Sequence, residues 1–68
     1  MNFTEARILE EQARLSAVNA EVAGMIAEND QRKHRRESMA YTGADFQKKA
    51  DEAHGIGNDI RSLALQLL

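Results

Sequence analysis

The side chains best suited to chemistry are two histidines, His34 and His54, each with a carboxylate three positions away on one side of a helix: Glu37 after the first, Asp51 before the second. Two ligands do not make a metal site. With no cysteine in the chain, the missing ligands would have to be carboxylates brought in by a symmetric copy, and solvated side chains are the plainer account. Ser16, Ser38, Ser62, Thr4 and Thr42 offer hydroxyls, but none stands in the strained strand-to-helix elbow that activates a nucleophile. His54-Gly55-Ile56-Gly57-Asn58 lacks the lysine and the preceding strand of a phosphate-cradling loop. The expectation is a protein that is not an enzyme, with no catalytic residue, no metal and no cofactor.

Charge gives a stronger signal. Arg32, Lys33, Arg35 and Arg36 place four cations within five residues, between an N-terminal arm with six acids against two bases and a C-terminal arm with five against three. Arginine forks suit phosphates and carboxylates, and Tyr41 and Phe46 follow for stacking. Arg32, Lys33, Arg35, Arg36 and Tyr41 are therefore the expected contacts to an acidic protein surface or a phosphate-bearing small ligand. The plain alternative is that the block balances the acidic arms, either Glu28 and Asp30 nearby or the glutamates of a neighbouring subunit. A net charge of −2 disfavours extended nucleic acid, which the arms would repel.

These residues must be held by very little chain. Sixty-eight residues with no proline, no tryptophan and three aromatics allow one small domain. Charged residues interrupt every apolar stretch, so no membrane span is expected, and the N-terminus lacks the pattern of a secretory leader. A cytoplasmic location is the corresponding expectation.

The first helix is expected over about residues 4–40, capped by Asn2 or Thr4, with Glu5 in its first turn. Ile8, Leu15, Val22 and Asn29 recur every seven residues, and Gln12, Asn19 and Ile26 fall four after the first three, which reads as a coiled-coil seam with polar members. Ala6, Ala13, Ala20 and Ala27 form a second series, joined by Leu9, Ala17, Ala23 and Gly24. Two apolar faces on one helix need two neighbours, the second helix and another subunit.

A turn at about residues 41–43 leads to a second helix over about 44–67, opened by a capping box of Thr42 and Asp45. Phe46, Ala53, Ile60 and Leu67 repeat every seven residues, with Ala50, Gly57 and Ala64 between them. The phase is unbroken across Gly55 and Gly57, which predicts one helix through both, with Gly57 close against the alanines of the first; a break near Gly55 is the alternative. The fold expected for residues 1–68 is thus all-α: a two-helix antiparallel hairpin that self-associates into a four-helix bundle or a larger oligomer. Its self-association residues would be Ile8, Leu15, Val22, Ile26, Ala13, Ala20, Phe46, Ile60 and Leu67.

The stretch Asp45-Phe46-Gln47 through Ala53 to Leu63-Ala64-Leu65 is similar in apolar spacing to the second helix of the small co-chaperones of type III secretion needles, from which the first helix departs by its basic block. Arg35 to Thr42, followed by Asp45-Phe46-Gln47, resembles the start of the second hairpin helix of phage cyclic-nucleotide sponges, without their aromatic after the arginine. Three functions follow as expectations. The first is a bacterial or phage accessory protein that occupies a surface on a larger target through the basic block. The second is an oligomeric sponge for an anionic cyclic nucleotide, and the third a chaperone-like subunit whose alanine face awaits a different chain.

Overall fold

Two helices and the connection between them make up the chain. The computed structural model describes residues 1–68 and contains α1, Phe3–His34, and α2, Gly43–Gln66, packed as an antiparallel hairpin. Both starts are capped as their sequences dictate. The Asn2 side chain accepts the Glu5 N–H at 2.8 Å, and at Thr42 the box closes in both directions, the Asp45 N–H donating to Oγ1 at 3.4 Å and the Thr42 N–H to Asp45 Oδ2 at 2.8 Å. No break occurs at Gly55: α2 runs through both glycines.

Helix α1 ends six residues before the expected limit near residue 40. Its end is a Schellman motif, in which the Glu37 N–H donates to the Arg32 carbonyl at 2.8 Å and the Arg36 N–H to the Lys33 carbonyl at 3.1 Å. That geometry requires a left-handed residue just past the helix. Arg36 takes it, at φ 59°, the only non-glycine residue with positive φ. The connection is consequently eight residues, 35–42, rather than a three-residue turn.

The seam also differs from its expected position. Ile8, Leu15, Val22 and Asn29 on α1 and Phe46, Ala53 and Ile60 on α2 are half-buried between the helices, but their companions are the residues three positions on: Glu11, Val18 and Met25, and Lys49, Ile56 and Leu63. Gln12, Asn19, Ile26, Ala50, Gly57 and Ala64, expected in the seam, are exposed. Burial decides the side. Val18, Met25, Ile56 and Leu63 are the buried apolar residues of the chain, each contributing about 1.5–3 kcal/mol, whereas the other row offers two amides, a single isoleucine and three residues no larger than alanine. Gly57 accordingly makes no close approach to α1, since a Cβ placed on it would meet nothing within 4 Å.

Two unlike flanks result. Asn29 bonds Tyr41 and Lys49 bonds Glu21 across the hairpin, so facing residue numbers add to about 70. In an antiparallel pair, equivalent rows of the two helices share a side. One side carries Arg7, Arg14, Glu21 and Glu28 beside Asp45, Glu52 and Asp59; Asp59 and Glu52 act on the Arg14 charge, as that juxtaposition requires. The other carries Gln12, Asn19 and Ile26 beside Ala50, Gly57 and Ala64, without a charge among them. The alanine row Ala6, Ala13, Ala20 and Ala27 lies on the far side of α1, exposed.

Candidate functional site

The basic block sits at the closed tip of the hairpin, in the last turn of α1 and the start of the connection. Cations are favoured there because the last carbonyls of a helix present its negative end. The four are not equivalent. Arg32 donates from Nε to Glu28 at 2.8 Å and from Nη1 to the Ser38 carbonyl at 3.5 Å, and lies 4.0 Å from Glu37. Arg35 grips Glu37 from Nε at 2.9 Å and Nη2 at 3.4 Å. Arg32 thus ties the connection back to α1 and pairs with Glu28, one of the acids of the plain alternative, whereas Arg35 pairs within the connection itself. Lys33 and Arg36 are exposed and have no carboxylate partner.

What holds the tip in shape is Asn29. Its side chain donates from Nδ2 to the Tyr41 carbonyl at 2.9 Å and accepts the Tyr41 N–H on Oδ1 at 3.0 Å, treating the connection as a strand treats its neighbour. The sevenfold spacing had placed Asn29 in the seam; only the path of the connection reveals this second duty.

Tyr41, grouped by sequence with the arginines, lines a groove to which none of them contributes. This open groove of about 460 Å³ on the charged flank is lined also by Glu21, Met25, Asp45, Lys48, Lys49 and Glu52. Lys49, in a row that is otherwise apolar, lays its stem over the seam and bonds Glu21 and, at 3.4 Å, Glu52. The Glu21 hydrogen bond, followed by the nearby charges of Glu21 and Glu52, holds its pKa above the ordinary lysine value against the pull of desolvation. The groove's three acids outnumber its two lysines. At the tip end of the other flank, where the uncharged row gives way to Lys33, a shallower groove of about 250 Å³ is lined by Ile26, Asn29, Asp30, Lys33, Met39 and Phe46. There Ile26 and Met39 are 56% and 64% exposed, next to the unpaired ammonium of Lys33.

The histidines stay apart. His34 ends α1 with Nδ1 donating to the Asp30 carbonyl at 2.9 Å, His54 is exposed on α2, and no three His, Asp or Glu residues converge. Among the expected self-association residues, Ile8, Leu15, Val22, Phe46 and Ile60 lie half-buried in the chain's own seam, while Ile26, Ala13, Ala20 and Leu67 are exposed. Sequence reasoning missed Glu11, a carboxylate only 6% exposed in the seam. Arg14 Nη1 donates to both of its oxygens at 2.9 Å, and that hydrogen bond, then the Glu11 charge, raises the Arg14 pKa above its usual value. No helix is long and apolar enough to cross a membrane. No protein-family model matches the chain, and no curated protein or solved structure shows significant similarity to it.

Proposed function

We propose that this chain is a non-catalytic binding protein that occupies an acidic or phosphate-bearing surface of a larger target with the tip of its hairpin, Lys33 and Arg36 making the contact while Arg32 and Arg35 keep the tip folded. The observation that carries this reading is Arg36. Its left-handed backbone costs an L-residue about 1–2 kcal/mol, glycine would take the position without that cost, and the guanidinium pairs with nothing in the chain. An expensive residue whose charge is unused internally is what a contact surface requires. The sponge reading needs arginine and aromatic side chains to converge on one ligand, and Tyr41 lines a groove with three carboxylates and two lysines but no arginine, which weighs against it.

The test separates charge from fold. Arg36→Gly keeps the Schellman geometry, so stability should hold or rise by about 0.5 kcal/mol, strain relief being partly offset by the freer unfolded chain. Amide shifts of residues 33–37 should respond to poly-glutamate or to ATP, and the response should vanish in Arg36→Gly combined with Lys33→Gln. A poly-glutamate response alone marks an acidic protein surface, and an ATP response alone a phosphate ligand. Silence of the tip toward both, or an undiminished response in the double variant, removes the proposal.

A further inference from the structure

We infer that the uncharged flank, with Gln12, Asn19 and Ile26 from α1 and Ala50, Gly57 and Ala64 from α2, is the interface for a second copy of this chain, the two hairpins related by a two-fold axis parallel to the helices. Three observations converge on it.

Surface area comes first. The chain exposes 5,166 Å², whereas a compact monomer of its 7.6 kDa mass exposes about 4,300 Å². The excess, about 900 Å², is close to the roughly 800 Å² that each partner buries in a standard interface.

Charge comes second. Equivalent rows flank the seam on its two sides: one is charged along its length, and on the other charge stands only at the two ends of the α1 row, Glu5 and Lys33. Helices that pack in a four-helix bundle need a third apolar or small row beside the seam pair, on the side that meets the partner hairpin. Here that row is free of charge from Gln12 to Ile26 on α1, between Glu5 and Lys33, and from Ala50 to Ala64 on α2, and these six residues are exposed.

Shape comes third and selects a second copy as occupant. With facing residues numbered to about 70, Gln12 lies beside Gly57 and Asn19 beside Ala50, a larger side chain next to a small one each time. Such a ridge beside a groove is self-complementary under a two-fold axis, which is the condition for an isologous contact. An axis parallel to the helices sets the α1 ridge of one copy in the α2 groove of the other, makes every neighbouring pair antiparallel and brings both tips to one end. The alanine row on α1 has no counterpart on α2, so pairing through it would engage only one helix per chain.

The glycines make a clean experiment, because a Cβ on Gly55 or Gly57 meets nothing within 4 Å and either replacement improves helix propensity. Light scattering on the full chain should give twice the 7.6 kDa mass for the wild type and for Gly55→Glu, which lies off this flank. Gly57→Glu should fall to the single-chain mass with its helical circular-dichroism signal retained. As the chain has no cysteine, a spin label on Ser38→Cys reports the axis. Tips at one end are separated by about two helix diameters, on the order of 20 Å, whereas tips at opposite ends stand apart by nearly the 53 Å length of the molecule. A monomeric wild type, a dimeric Gly57→Glu, a dimer that dissociates with Ala20→Glu but not with Gly57→Glu, or labels separated by the molecular length would each overturn the inference.

Discussion

At the scale of single residues, polar side chains decide where the backbone goes. Asn29 satisfies both polar groups of the Tyr41 backbone, so Asn29→Ala leaves a donor and an acceptor without partners in a half-buried place. Its expected cost is about 1–3 kcal/mol, measured as a lower urea midpoint, with the amide of Tyr41 losing its protection from hydrogen exchange. Asp45 makes a second prediction. The hydrogen bond from the Thr42 backbone, helped by the Thr42 hydroxyl and by Lys48 and opposed by desolvation, holds its carboxyl below the usual range. A folded pKa below the unfolded one stabilises fully above the unfolded value of about 3.9 and loses that contribution as pH falls through the folded value. The thermal midpoint of the wild type should therefore drop more between pH 5 and pH 2 than that of Asp45→Asn; equal slopes would show that the cap is not linked to protonation. The Thr42–Asp45 box was legible because its spacing is its mechanism. Arg36 was not, because the familiar end signal is glycine or asparagine, and here an arginine takes the left-handed position.

At the scale of elements, a seven-residue repeat fixes one row of the seam and leaves open which side its companion takes. The rows of Ile8 and Phe46 were legible for that reason. Three residues on or four residues on both satisfy the period, and only the larger apolar area of Val18, Met25, Ile56 and Leu63 chooses between them. Glu11 obscured the choice by standing in the winning row as a carboxylate. Its desolvation is met by a single arginine, so replacing it with an apolar residue of similar length should stabilise the hairpin: Glu11→Met is expected to gain about 1 kcal/mol, read as a higher urea midpoint. Arg14→Ala, which strands the carboxylate, should lower that midpoint, and a loss in both variants would mean that the pair is worth more than the packing it displaces. The candidate site was legible as a block of charge and no further. Which arginines are committed to Glu28 and Glu37 depends on the path of the connection, and no spacing rule specifies that path.

At the scale of the whole molecule, the hairpin is a rod of 53 × 20 × 11 Å, with a radius of gyration of 16.0 Å where a compact chain of this length has about 11 Å. A body so thin buries four apolar residues and one carboxylate, which is little to hold two long helices together. A second hairpin laid on the uncharged flank would thicken that body and set two copies of Lys33 and Arg36 side by side, so one feature of shape bears on both stability and binding. The Asn29–Tyr41 clamp has a further consequence, for the order of assembly. It joins α1 to the end of the connection, two residues ahead of α2, across twelve positions in sequence, whereas contacts at the open end close nearly the whole chain. Closure entropy rises with the length enclosed, so the arms are expected to zip from the tip toward the termini, with the open end the first to fray in hydrogen exchange.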